Sequence, residues 1–431
     1  MSTIKDMFRI KDLRNKIFFT AAIFFLIRMV SQVPVPGVNS GFIESYFAAN
    51  GVFSFIDAFT GGGFSNFSIL ALSITPYITA SIIIQLLTIA IPKLEELQKE
   101  GTTGKKVITK ITRILTVALS VLESVALCIG FGSSMLIEFT VLNVIAVTAV
   151  MTAGSAFLMW LAERINEHGI GNGISMILLL NIASRIPSDI VSLYQQFIAG
   201  HTIAESAVNW AIIAAVIIAV FLFSIILNEA HRDIPVQYAN KFNRTTNQSP
   251  ASCIPIKTNV SGVVPVIFAT SIMAIPGMVM SFAQIQATGF MGTIVSALSP
   301  SNWFDPADWL PTAGIAVYAL LLIFFAYFYA QINYNPSLIA DNLRKSGGTI
   351  PGYRPGEPTA AYINNVLKGQ VFIGSMGLII ITAVSYFFNG MFNAGVSFGG
   401  TSLLIIVSVL TDSARQASTT MKEHHYKGFI N

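Results

Sequence analysis

Phe53–Ile91 reads FSFIDAFTGGGFSNFSILALSITPYITASIIIQLLTIAI, and its reading decides the fold. A short apolar piece, Phe53–Thr60, is followed by Gly61-Gly62-Gly63 and then by a long apolar run holding Pro76. A spanning helix needs about 20 apolar residues; the run from Phe67 to Ile91 supplies them, and the short piece does not. The short piece reads as a half-helix that dips into the membrane and turns back at the glycines. Backbone broken at membrane depth is tolerated only where protein or a water-filled cavity receives its polar groups. The stretch therefore predicts a membrane protein with an internal cavity; the plainer alternative is an external loop with an amphipathic turn.

Composition agrees with a membrane chain. Of 431 residues, 53% are hydrophobic and 11% charged, against about 25% charged in soluble domains. Cys128 and Cys253 lie far apart and build no disulfide framework. The basic arm (Lys5, Arg9, Lys11, Arg14, Lys16) before apolar Ile17–Val33 resembles a signal peptide, but Pro34-Val35-Pro36-Gly37 follows instead of a small-residue cleavage site. It reads as a retained first span.

Spanning-length runs fall at 17–36, 67–91, 111–131, 141–162, 173–186, 209–228, 260–283, 313–334, 369–389 and 399–421. Lys and Arg favour cytoplasmic loops. With both termini inside, 23 of the 25 basic residues are cytoplasmic, Arg28 lies within a span and Arg185 lies outside. Ten spans divide into halves of five, and duplication of an odd half produces an inverted repeat with a site at its interface. Pro76-Tyr77-Ile78-Thr79-Ala80 in the second span and Pro265-Val266-Ile267-Phe268-Ala269 in the seventh occupy matching places, each beside helix-breaking residues; chance agreement over five residues is the competing reading. The predicted layout is an arm at 1–16, a first half at 17–186, an external hinge at 187–208, a second half at 209–421 and a tail at 422–431.

Catalytic chemistry finds no support. The histidines (His168, His201, His231, His424, His425) fall in loops or tails, and no metalloprotease helix motif, phosphate-cradling loop or buried carboxylate pair is visible. Gly169-Ile170-Gly171-Asn172-Gly173 follows a helix rather than a strand and reads as a tight turn. Two charges sit within spans, Arg28 and Glu123, at similar depths of roughly 16–18 Å. An unpaired charge there costs at least about 3 kcal/mol, so a scaffold pair between them is expected, with Arg28 reaching the outer interface alone as the alternative. In the 335–368 loop, Arg354 stands between Tyr353 and Pro355-Gly356 at an exposed turn tip suited to docking a soluble partner.

Several long segments resemble the SecY family of channel subunits of the bacterial protein translocase, over nearly the whole chain. They are Phe19–Pro36, Thr60–Gly63, Ile74–Leu87, Lys99–Gly101, Met159–Leu161, Gly169–Ser175, Gly262–Ala269, Ala340–Gly347, Pro351–Glu357 and Gly399–Ile405. The resemblance implies an all-α polytopic membrane protein with ten transmembrane helices in two inverted five-helix halves around a central pore, and a re-entrant plug helix. It implies no enzyme and no cofactor. The waist would be an aliphatic ring of Ile74, Ile78, Ile174, Leu178, Ile267 and Ile405. The i, i+4 spacing of Ile74/Ile78 and of Ile174/Leu178 puts each pair on one helix face, and an aliphatic constriction excludes ions by dewetting.

By the same resemblance the plug would be Phe53, Ser54, Phe55, Ile56, Asp57, Ala58, Phe59 and Thr60, hinged at Gly61, Gly62 and Gly63. The lateral gate would involve Pro76, Thr79, Ile82, Asn259, Pro265 and Thr270, admitting apolar signal peptides and releasing membrane segments to lipid. Arg232, Lys241, Arg244, Arg344, Lys345, Arg354 and Glu357 would dock the ribosome or the SecA motor ATPase. SecE and SecG would complete the channel in the bacterial plasma membrane, carrying unfolded secretory chains with no sequence-specific nucleic acid among its partners. Three departures stand out: Glu123 where Gln is expected, Leu178 where Ile is usual, and a 229–258 loop less basic than the family's. A secondary transporter would need acidic or polar groups converging at midplane, where the mapped centre offers Ile, Leu and Gly; a non-conducting scaffold subunit would need no plug.

Overall fold

The computed structural model describes residues 10–39, 41, 57, 60–197, 203–238, 252–282, 289–299, 303–304, 310–392 and 400–427. Helices dominate, and each expected span overlaps one of them. In chain order they are α1 (Lys11–Val30), α2 (Thr75–Ala90), α3 (Pro92–Lys99), α4 (Thr102–Met135), α5 (Val141–His168), α6 (Gly173–Phe197), α7 (Ile203–Glu229), α8 (Val264–Phe282), α9 (Gly289–Leu298), α10 (Gly314–Asn333), α11 (Pro336–Lys345), α12 (Glu357–Phe392) and α13 (Gly400–Lys427). Among the described residues, six helices are long and apolar enough to cross a membrane, and α2 with α3, bent by 105° at the break between them, adds a seventh if the two count as one span. The protein is a multi-pass membrane protein.

Two compact units divide the chain: Met1–Ser192 with Gly277–Ala287 and Val409–Asn431, and Leu193–Pro276 with Thr288–Ser408. The core of the first gathers Phe64, Phe67 and Leu72 with Leu127, Met135 and Met151 of α4 and α5. Here the expected second span is shortened. Residues 61–74 form turns, and helix begins only at Thr75, with Pro76 in its first turn. The irregular backbone is received by protein, as its burial requires. Val35 N–H donates to the Phe67 carbonyl at 2.9 Å and Ile69 N–H to Val33 at 3.0 Å, so the Pro34–Pro36 segment pairs with it like a short strand.

The matched breaks of the two halves share a backbone geometry. Ser73, three residues before Pro76, has φ 51°; Gly262, three before Pro265, has φ 63°. In each case the chain enters the helix from a left-handed residue, with proline close behind supplying the φ that a first turn needs. Ser73 lacks glycine's freedom there and is held from two sides: Asn181 Nδ2 donates to its Oγ at 3.0 Å and Ser155 Oγ to its carbonyl at 3.2 Å. Such over-determination is what sustains a disfavoured conformer.

In the second unit the structure adds a small sheet to the helices. β1 (His231–Tyr238) pairs antiparallel with β2 (Ser252–Lys257), Ile234 facing Ile254, and with β3 (Gly348–Thr349). Ile234, Val236 and Ile256 bury against Ala330 of α10, Leu343 of α11 and Ile363 of α12. The two strands of the 229–258 loop, and with them residues of the 335–368 loop, are thus seated on span helices. Another boundary differs from expectation: α6 continues through Pro187 to Phe197, so the segment read as hinge opens in helix.

Candidate functional site

Asp57, residues 60–74 and the helices around them form a polar site inside the first unit. Asp57 is buried at 4% exposure and ion-paired with Arg185 of α6. Its Oδ2 takes the Arg185 guanidinium. Its Oδ1 accepts from Ser65 N–H at 2.9 Å and from Thr60 Oγ at 3.2 Å. Thr60 Oγ accepts in turn from Phe64 N–H at 3.1 Å, and Gly62 N–H donates to the Asp57 carbonyl at 3.2 Å. Asp57, Thr60 and the glycines therefore form one hydrogen-bonded knot. Of the expected plug, Phe53, Ser54, Phe55, Ile56, Ala58 and Phe59 lie outside the described residues.

Arg28 is tied to the same place. Its guanidinium donates to the Gly61 carbonyl at 3.1 Å, to the Leu180 carbonyl at 3.4 Å and to Asn181 Oδ1 at 2.8 Å. The expected pair with Glu123 gives way to these neutral acceptors, and no ion pair joins the two among the described residues. Equal depth along two helices does not fix their facing, and Gly61 and Asn181 occupy the reach of Arg28. The ion pair at Asp57 was missed in the sequence. A signal existed: Arg185 is the sole basic residue assigned outside, and Asp57 the sole charge in the short apolar piece.

The six ring positions all lie within the first two turns of a helix or at its edge. Ile74 caps α2 and Ile78 follows one turn on, its N–H on the Ile74 carbonyl at 3.1 Å. Ile174 and Leu178 begin α6, Ile267 begins α8 and Ile405 lies near the start of α13. Ile74, Leu178 and Ile405 are buried and Ile78, Ile174 and Ile267 half-buried.

Of the gate positions, Pro76, Asn259, Pro265 and Thr270 are buried, while Thr79 and Ile82 are half-buried. Asn259 Nδ2 donates to Asn228 Oδ1 at 3.0 Å, beside Thr258 Oγ donating to Gln370 Oε1 at 2.8 Å. Thr79 and Thr270 spend their hydroxyls on carbonyls of their own helices.

Arg232, Arg344, Lys345, Arg354 and Glu357 are all exposed; Lys241 and Arg244 lie outside the described residues. The Arg354 turn is braced beneath. The Tyr353 and Tyr362 rings stack at 4.2 Å between centroids, and buried Thr359 donates its hydroxyl to the Arg354 carbonyl at 2.7 Å.

The SecY family model matches residues 68–414. The protein translocase subunit SecY of Halalkalibacterium halodurans is 38% identical over 438 residues, covering 99% of both chains. That of Staphylococcus carnosus is 34% identical over 437 residues, again with 99% of each covered. Among solved structures, a protein-conducting channel superposes with TM-score 0.66 at 18% identity, covering 94% of this chain and 92% of its own. A SecY protein whose plug domain stabilises the closed state, and the channel of a canine ribosome–channel complex from the endoplasmic reticulum, each give 0.64, at 17% and 18% identity and the same coverage. A family model over most of the chain and end-to-end relatives above 30% identity lead to one conclusion: this chain belongs to the SecY family of channel-forming protein translocase subunits.

Proposed function

We propose that the chain is the protein-conducting channel of a bacterial plasma membrane, both termini cytoplasmic, passing unfolded secretory polypeptides across and releasing apolar segments sideways into lipid. The observation that carries this is the buried, non-helical run 61–74 delivering Ile74 and Ile78 to the head of a proline-started helix, with the same left-handed entry at Gly262 ahead of Ile267. An aliphatic waist excludes water and ions while empty and still closes around a passing chain, because dispersion contacts need no fixed partner. Phe53–Thr60 acts as the plug on the Gly61–Gly63 hinge. The segments around Pro76 and Pro265 form the lateral gate, with Asn259 in its polar cluster.

The channel contributes no hydrolysis; a motor ATPase such as SecA, or the ribosome, supplies direction by docking on the basic loops, and SecE and SecG complete the assembly. Support for docking is the packing of β1, β2 and the 335–368 segment against span helices and the exposure of Arg354. Crosslinking tests the whole reading: a stalled secretory chain should form adducts with single cysteines at Ile78 and at Ile267. Their absence, with the channel folded and its partners present, would end it.

A further inference from the structure

We propose that the Asp57–Arg185 ion pair is a latch on the plug, holding its root against α6 in the resting channel and breaking as the pore opens. The inference rests on the plug reading above and names the interaction that sets how tightly the plug sits.

The geometry separates a pivot from a latch. Gly61 is the pivot. Its φ of 67° is a left-handed conformation open to glycine, and a Cβ there would strike Arg28 Nη2, the Asn181 carbonyl and Ser184 Oγ. Arg28 clamps its carbonyl from α1 and Ser184 Oγ reaches it from α6. Four residues earlier, Asp57 uses one carboxylate oxygen on Arg185 and the other on Ser65 and Thr60. One side chain therefore joins α6 to the hinge knot, and the plug cannot lift from Gly61 without parting the two charges.

The chemistry suits a releasable contact. Attraction between opposite charges is strong in a dry site and weak in a wet one, and Asp57 is almost fully buried. A polar chain entering the pore brings water and its own hydrogen-bonding groups, so the pair weakens when opening requires it. Among the described residues Arg185 Nε is buried with no acceptor, a donor left over for a displaced carboxylate or an arriving carbonyl.

The test reconstitutes the full chain with its partner subunits in lipid vesicles and reads ion leak with no translocating polypeptide. Asp57→Asn and Arg185→Gln should each raise the leak about tenfold, since removing one partner strands the other charge. The double variant should leak no more than the leakier single one, as two groups acting through one contact require. Arg185→Lys, which keeps the charge, should stay near the parent. Deletion of residues 53–60 serves as the reference for a channel without a plug. If that deletion leaks while Asp57→Asn and Arg185→Gln remain tight, the latch is overturned and the plug reading stands. Leak from only one of the single variants, multiplicative leak in the double, or Arg185→Lys leaking like Arg185→Gln also overturns it. A tight channel after the deletion removes the plug reading and the latch together.

Discussion

Arg28, on the first helix, donates to Asn181 Oδ1 at 2.8 Å across 153 positions of sequence, and Asn181 passes the contact on to Ser73 at 3.0 Å. The charge that the membrane makes costly is thereby used to fix three pieces of backbone: the end of α1, the left-handed turn at Gly61 and the left-handed turn before α2. Charge-assisted hydrogen bonds of this kind are roughly twice as strong as neutral ones.

Replacing Arg28 by Leu should therefore lower the thermal midpoint of the purified complex, even though it removes a charge from a span. The Gly61 carbonyl and Asn181 Oδ1 each lose the guanidinium, and weakening a buried hydrogen bond to a charged group costs about 1–3 kcal/mol. Arg28→Lys should recover only part of the loss, because a single ammonium does not reproduce the planar fork. A midpoint unchanged or raised in Arg28→Leu would contradict this account.

Gly154 of α5 tests the packing of the irregular run. A Cβ at that position would collide with the Ile69 carbonyl and backbone, and neither belongs to a flexible side chain able to yield. Gly154→Ala should cost about 1–3 kcal/mol. Gly369→Ala, on an exposed face of α12 with open space around the new methyl, should be neutral or stabilise by up to about 1 kcal/mol. Thermal unfolding of the two variants side by side reads the contrast; equal midpoints would mean α5 does not pack as tightly on residue 69 as described.

How far the sequence was legible depends on what hydropathy measures. It reports the thickness of apolar surroundings, so all ten expected spans meet a helix, but it does not report where a helix ends. α12 starts at Glu357, twelve positions before the expected 369, because the helix runs on into polar surroundings. The shortened second span has the same origin: Phe67–Ile74 is as apolar as a helix yet buried as turns. The β1–β2 hairpin hid behind Asp233 and Pro235, though Ile234/Val236 and Ile254/Ile256 show the alternation of half-buried strands. Partners of buried charges were the least legible part, since Asp57 and Arg185 lie 128 positions apart and only folding makes them neighbours.

Arg354 separates docking from stability. Its side chain is exposed and its turn is fixed by Thr359 and by the Tyr353–Tyr362 stack. Arg354→Glu should leave the unfolding free energy within about 0.5 kcal/mol of the parent, while motor-driven translocation falls at least about tenfold through charge reversal at the proposed contact. Thr359→Ala should weaken translocation less, by loosening the turn without changing its charge. Undiminished motor-driven export by Arg354→Glu would remove this residue from the docking surface.

Leu178 tests whether the proposed waist works by shape or by apolar bulk. The side chain is 3% exposed in the opening turns of α6, one turn beyond Ile174. If exclusion of ions rests on dewetting, what matters is that no polar atom offers water a partner, and Leu or Ile should serve alike. Leu178→Ile should then conduct no more ions than the parent and export normally, with a stability change below about 1.5 kcal/mol for a volume-conserving swap. Leu178→Asn keeps a comparable length but presents an amide, and it should raise resting conductance severalfold while still passing polypeptide. Conductance measured in planar bilayers distinguishes the two accounts: leak from the isoleucine variant would argue for a shaped seal, and a tight asparagine variant would place the barrier to ions elsewhere than at this ring position.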